Sequence, residues 1–239
     1  MIRLRATWHI PGDGSAAAAD SAYDGSHTFA ARRLPGIRRH ESLRALPGAA
    51  GGNPGFWRGE HLDFEDAQAL AAAESAPDWA VAWGQEFAAA TAGLRIDAFD
   101  IVEEYEPPGA EPPPVGGTVT ALSGCWQVPA RLSPADVDAV YLDVHVPGVR
   151  RLPRLRRHTV LLARNWPTGK YARCWRSAEI RFASQDDFRA VFDTAAYDAL
   201  RHDGFNVSVS AHEVDVYLVD DSWTPHGNEH QRPRATSTS

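Results

Sequence analysis

The sequence predicts an α+β fold in which one unit of strands and helices occurs twice, and an internal repeat is the first reason. Residues 23–40 (YDGSHTFAARRLPGIRRH) and 141–158 (YLDVHVPGVRRLPRLRRH) align without a gap and share nine of eighteen residues. The same offset of 118 positions relates Trp8 to Trp126, Arg58 to Arg176 and Phe64 to Phe182. The predicted organisation is unit one at residues 1–106, a Pro/Gly-rich linker at 107–117, unit two at 118–223 and a disordered tail at 224–239.

The first strand and first helix of each unit follow from periodicity. Residues 2–10 (IRLRATWHI) alternate apolar and polar side chains, which is typical of a half-buried strand. In unit two a helix is predicted to begin after Ser133, which is a suitable N-cap residue, with Pro134 in the first helical position. Val137, Val140, Tyr141 and Val144 then recur at helical spacing. Pro153 ends this helix, as Pro35 ends the corresponding helix of unit one.

The rest of each unit predicts a hairpin, a helical segment and a last strand. Segments rich in helix formers follow each hairpin and are expected to break once in the middle. A βαββαβ order gives a four-stranded antiparallel sheet with both helices on one face, the ferredoxin-like arrangement. The bare face of each sheet needs a cover, so we predict two tandem ferredoxin-like units packed sheet to sheet as an intramolecular dimeric α/β barrel. The predicted hairpins are 37–44 with 55–64 and 155–164 with 171–182, and the last strands are 94–105 and 212–223.

Composition excludes several functional classes. The chain has 239 residues and a net charge of −7, and its one arginine-rich run is too short to indicate nucleic-acid binding. No segment approaches about 18 consecutive apolar residues, so we expect no membrane span and a cytoplasmic protein. Cys125 and Cys174 have no cysteine counterparts in unit one, which favours free thiols. The sole lysine, Lys170, lies in a predicted hairpin loop, which argues against Schiff-base chemistry.

A motif with the pattern HxxxxRRLPxxRRH opens the second strand of each unit, and a later aromatic strand ends in Phe64 or Phe182. These features resemble the EthD family of dimeric α+β-barrel proteins over both copies. The resemblance implies a superfamily that contains polyketide cyclases, muconolactone isomerases, cofactor-free monooxygenases and haem enzymes, and tandem barrels of similar length include chlorite dismutase relatives. In cyclases that resemble olivetolic acid cyclase, the cavity lies between helices and sheet, and a catalytic histidine stands where this chain has Arg58 or Arg176.

The residue pattern itself places candidate site residues under the helices. Helical spacing directs His145, and by the repeat His27, toward the sheet, while period two directs Arg58 and Glu60 the same way. A histidine held by a backbone carbonyl in the core is the alternative interpretation. Glu60 would hold Arg58 ionised or act as a base, and because unit two has Ala178 instead, we expect unit one to be the active one. The candidates are His27, His145, Arg58, Arg176 and Glu60 for catalysis, Trp8, Trp79, Trp126 and Tyr197 for substrate binding, and no metal ligand.

These residues favour an enzyme that uses acid–base chemistry, without a cofactor, on a hydrophobic aromatic or polyketide-like small molecule, as a cyclase, dehydratase or isomerase. A cofactor-free or haem-dependent monooxygenase and a non-catalytic small-molecule binding protein are the alternatives. A second candidate location is the face between the two sheets, where His61, Asp63 and Glu179 would form a polar network. We expect a monomer that contains a pseudo-dimer, with a homodimer as the alternative.

Overall fold

A computed structural model describes residues 1–12, 14–46, 55–110, 118–165 and 174–225. Eight antiparallel strands close into one barrel in the order β1-β3-β2-β8-β5-β7-β6-β4. Each unit contributes a sheet with the ferredoxin-like strand order, and β2 pairs with β8 and β4 with β6 to join the two sheets. The predicted fold class is therefore confirmed. The strands are β1 Ile2–His9, β2 Ile37–Ala45, β3 Arg58–Phe64, β4 Ala92–Tyr105, β5 Val119–Gln127, β6 Leu155–Arg164, β7 Arg176–Phe182 and β8 Ser210–Trp223.

The strand register repeats at the offset found in the sequence. Trp8 pairs with Arg58 across β1 and β3, and Trp126 pairs with Arg176 across β5 and β7. The predicted start of the second hairpin strand in unit two, the linker segment 111–117 and the tail from 226 lie outside the described residues. Cys125 and Cys174 are buried and form no disulfide, as predicted.

Short helices cover the outer face of the barrel, and the second helical segment of unit one breaks twice rather than once. The first break precedes Pro77, which begins a new helix. The second falls at Gly84, where an added Cβ would lie 2.5 Å from the carbonyl oxygen of Ala80. The helices are α1 Ala16–Ala22, α2 Thr28–Ala31, α3 Ala67–Glu74, α4 Pro77–Ala82, α5 Gln85–Ala90, α6 Pro134–Val140, α7 Val146–Val149, α8 Gln185–Val191, α9 Ala195–Arg201 and α10 Phe205–Ser208.

The first helical layer of each unit contains a π-helical turn that the sequence did not predict. These turns span Tyr23–His27 and Tyr141–His145, so each ends at one of the repeated histidines; in the first, Gly25 leaves the helical conformation (φ −86°, ψ −110°), so the chain is kinked there. Such turns are rare in proteins, and many of those that occur lie at functional sites. The predicted start of the unit-two helix is confirmed, because Ser133 and Asp136 form a reciprocal capping box around Pro134.

The space between the two sheets is filled by a network of buried ion pairs. Arg3 donates to Asp63 over 2.7 Å, and Arg181 donates to Glu41 and to Glu179. His61, one of the residues predicted for this face, contacts Glu41 at 3.2 Å. Within the described ranges no group of three or more His, Cys, Asp or Glu residues could hold a metal ion. None of the described helices is long and apolar enough to cross a membrane.

Candidate active site

A cavity of about 220 Å³ lies in unit two between the helices and the outer face of the sheet. Most of its wall is apolar, as is usual for small-molecule sites. Two histidines, His145 and His158, reach it from the helical layer and from β6. The aromatic part of the wall consists of Trp126, Tyr141, Phe182, Phe188, Phe192, Tyr197 and Phe205.

The geometry of His145 is that of a histidine oriented by a carboxylate. Its Nδ1 donates to Oδ2 of Asp203 over 2.6 Å, and its ring stacks on Phe205 with centroids 4.1 Å apart. Burial lowers the pKa of His145 more than the Asp203 carboxylate raises it, so the ring is neutral at pH 7. Because Nδ1 carries the proton, Nε2 holds the lone pair and is available as a base.

His158 is completely buried, yet neither ring nitrogen hydrogen-bonds to any described residue. Burial, together with Arg150 and His145, lowers its pKa to about 3, so it also stays neutral. The buried hydroxyl of Tyr141 likewise finds no partner in the described part of the chain. Burial raises the pKa of this phenol, which therefore remains a donor. Orphaned buried polar groups are costly, and two that share one cavity indicate a ligand that would satisfy them.

Comparison with unit one shows why the cavity forms in unit two. In unit one Oε2 of Glu60 accepts from Nε2 of His27 over 2.9 Å and from Nε2 of His40 over 3.0 Å. Alanine at position 178 removes this carboxylate from the corresponding place in unit two. The Trp83 ring, 4.9 Å from His27, likewise gives way to Arg201. The unit-two histidines consequently face an open space.

Two expectations about the arginines are wrong. Glu60 does not hold Arg58, whose Nε lies 2.7 Å from Asp20 and whose Nη1 donates to Ser42 over 3.2 Å. Arg176 is held by both carboxylate oxygens of Asp138, at 2.6 and 2.9 Å, and does not line the cavity. Both arginines are therefore paired with a carboxylate of helix α1 or α6, and neither lines the unit-two cavity; Arg58 borders a separate polar cleft of unit one.

The structure distributes the other predicted residues between two environments. Trp126, His145 and Tyr197 line the unit-two cavity. Trp8 lies in the packed core of unit one against Tyr23 and Phe87, with centroids 5.1 Å apart in both contacts, and Trp79 packs 5.9 Å from Trp83. His27 has the carbonyl contact of the core interpretation, 2.6 Å to Ala82, as well as the contact with Glu60.

Sequence reasoning missed His40, His158 and Asp203. The first two are the last histidine of each repeated motif, and their recurrence at the same offset was the available signal. Nothing local marks Asp203, since it meets His145 from 58 positions away.

Comparison with known proteins assigns the fold. No family model matches, and no curated protein does either. An anthrone oxidase-like protein superposes with a TM-score of 0.64 at 12% identity, covering 93% of this chain and 92% of its own. A candidate monooxygenase from Fusobacterium nucleatum gives 0.62 at 8% identity, covering 94% of each chain. A chlorite dismutase variant from Candidatus Nitrospira defluvii gives 0.56 at 9% identity, covering 90% of each.

These likenesses, together with the closed strand order, establish a dimeric α+β-barrel protein. At such low identity they show the fold alone. Membership of the EthD family stays a prediction from the repeated motif.

Proposed function

We propose that this chain is a cofactor-free oxygenase that binds a small, flat, phenolic aromatic compound in the unit-two cavity. The observation that carries the proposal is the convergence of one oriented base, His145, and two unsatisfied donors, His158 and Tyr141, on an aromatic-walled cavity. Two of the similar structures are an anthrone oxidase-like protein and a candidate monooxygenase, which supports oxygenation over cyclisation. Fold analogy of this kind supports a class of reaction and does not supply its mechanism.

The chemistry would begin with proton transfer. Nε2 of His145 takes a proton from an acidic O–H or C–H of the substrate, and Asp203 stabilises the imidazolium that forms. The negative charge left on the substrate oxygen accepts hydrogen bonds from His158 and Tyr141. Both donors are buried among apolar side chains, where such bonds are stronger than in water.

The electron-rich anion then reacts with molecular oxygen, which is the second substrate. For a CH₂ group between aromatic rings, CH₂ and O₂ give C=O and H₂O. One oxygen atom enters the product, and the other leaves as water with the two hydrogens, including the proton that His145 removed. The aromatic walls hold the rings flat and exclude water from the anion.

Haem does not fit this cavity. Pockets for drug-sized ligands measure about 300–1,000 Å³, whereas this one measures about 220 Å³. A haem is larger than most such ligands. We therefore derive no step through haem for this site.

Two measurements test the proposal. Purified protein is titrated with a size series of phenols, naphthols and anthrones while tryptophan fluorescence reports binding, since Trp126 lies in the wall. Each bound compound is then incubated with and without oxygen and analysed by mass spectrometry. We expect an oxygen-dependent product that has one more oxygen atom and two fewer hydrogens than the substrate, and no such product with His145→Gln. Turnover that persists without oxygen would instead support acid–base cyclisation or isomerisation, and binding without turnover would support a carrier.

A further inference from the structure

Unit one contains a different kind of depression, a polar cleft of about 410 Å³ where β2 meets β8 beneath the Tyr23–His27 turn and α2. Arginine, aspartate and hydroxyl side chains line it, together with one imidazole, that of His40. The cleft shares no lining residue with the unit-two cavity. This lining favours a polar ligand.

The hydrogen bonds behind the cleft determine the protonation of His27. Its Nε2 lies 2.9 Å from a carboxylate oxygen of Glu60, and its Nδ1 lies 2.6 Å from the carbonyl oxygen of Ala82. Carboxylate and carbonyl oxygens only accept, so both ring nitrogens carry protons. Burial alone would lower the pKa of His27, but Glu60 raises it overall, in agreement with this geometry. His27 and Glu60 thus form a buried imidazolium–carboxylate pair.

The Glu60 carboxylate also contacts His40, but there the imidazole is neutral. Its Nε2 donates to Glu60 over 3.0 Å, and its Nδ1 accepts from Nε of Arg32 over 3.3 Å. The Tyr23 hydroxyl lies 3.4 Å from the same Nε2 and is at most a weak additional contact. His40 is therefore a neutral imidazole whose tautomer a carboxylate fixes, with its lone pair on Nδ1. This is the arrangement of a histidine poised to accept a proton.

One partly exposed side chain covers that lone pair. Arg32 is about one-quarter exposed, and its guanidinium also pairs with Asp221, whose carboxylate is half exposed. Exposed ion pairs contribute little, typically about 0–1 kcal/mol. The bond from Arg32 to His40 is long as well, so a ligand could displace this arginine at small cost.

A pair of arginines faces the cleft beside His40. Arg44 and Arg58 stand directly opposite in the register of β2 and β3, a placement that is unfavourable for like charges. Arg44 engages Asp220 through Nε alone, and Arg58 engages Asp20 and Ser42 through Nε and Nη1. Within the described part of the chain, neither Nη group of Arg44 nor Nη2 of Arg58 has a hydrogen-bond partner, so their N–H groups are available to a ligand in the cleft.

We propose that unit one holds a second site, which binds the oxyanion of a small polar ligand between Arg44 and Arg58 and uses His40 as its acid–base group. An oxyanion would relieve the repulsion between the two guanidiniums and use their remaining donors. With Arg32 displaced, Nδ1 of His40 takes a proton from an adjacent O–H or C–H of the ligand. Carboxylate and phosphate share the chemistry required. The site does not depend on the function proposed for unit two.

The test uses full-length protein titrated with acetate, malonate and inorganic phosphate at constant ionic strength. We expect a saturable rise in melting temperature with malonate or phosphate, the comparison between them identifying the preferred oxyanion. Arg44→Gln should weaken that binding about tenfold or more, the loss of a charge-assisted hydrogen bond. The matched control is Arg38→Gln, which removes another exposed arginine of β2 that pairs with Glu65. No saturable response, or equal responses in both variants, would overturn the anion site.

The role of His40 has a separate readout. In ¹⁵N spectra of the imidazoles, assigned with His40→Gln, His27 should show two protonated nitrogens, and His40 a protonated Nε2 with a lone pair on Nδ1. Ligand binding should shift the Nδ1 resonance of His40. A reversed tautomer, or an Nδ1 signal that ignores a bound oxyanion, would contradict the acid–base assignment.

Discussion

Replacing Glu60 by glutamine tests the buried charge chain of unit one. Burial alone would raise the pKa of Glu60, but His27 and His40 lower it from 4.5 to about 2. At about 1.4 kcal/mol per pKa unit, that shift corresponds to about 3 kcal/mol, consistent with about 3–5 kcal/mol for breaking a buried ion pair. Glutamine keeps the shape and removes the charge, so we expect the free energy of unfolding to fall by about 3 kcal/mol.

The pH dependence of that loss gives the sharper assay. The lowered pKa of Glu60 means that its contribution is complete above about pH 4.5 and is lost as the pH falls toward 2. The raised pKa of His27 means that its contribution is complete below about pH 6.5 and is lost as the pH rises through the folded value. Urea unfolding of both proteins should therefore differ most between pH 4.5 and 6.5. A difference that is constant with pH, or no larger than that of surface Glu65→Gln, would refute the ion pair.

The remaining predictions concern unit two. Ala178→Glu introduces into unit two the carboxylate that Glu60 provides in unit one, and this side chain should fill the cavity and pair with His158. Fluorescence titration should then show at least tenfold weaker binding of aromatic compounds. Unchanged affinity would place the ligand elsewhere. Asp203→Asn should lower kcat about 10²–10⁴-fold, because the tautomer of His145 is no longer fixed; a change in KM alone would contradict this. Because burial lowers the pKa of His145, wild-type kcat/KM should rise with pH through a value below 6.5 and then level off, and a rate that falls over this range would argue against a neutral base.

Much of the fold could be predicted because its determinants are local. The alternation of apolar and polar residues in 2–10, the N-cap at Ser133 and the prolines after the helices each depend on a few neighbouring residues. Because the same elements occur twice, the internal repeat then predicts how the strands are arranged. The second break at Gly84 could not be predicted, since it depends on the close approach of a backbone carbonyl. The π-helical turns are equally invisible to a search for the 3.6-residue period.

The candidate site was only half predictable, because periodicity gives the direction of a side chain and not its partner. His27, His145 and Glu60 point under the helices as expected. Glu60, however, stands opposite Ser42 in the register, which leaves His40 as a diagonal neighbour within reach, while Arg58 turns to Asp20. The expectation that unit one is the active one rested on a contact between Glu60 and Arg58, and in the structure Arg58 pairs with Asp20 instead.

Oxygen uptake tests the central claim most directly, namely that the open cavity of unit two is where an aromatic substrate reacts. With a compound that binds, an oxygen electrode and product analysis should show one O₂ consumed per product in wild-type protein and in Glu65→Gln. Uptake should fall to background in Ala178→Glu, which closes the cavity, and in His145→Gln, which removes the base. Full uptake in both cavity variants would contradict the account and place the chemistry outside unit two.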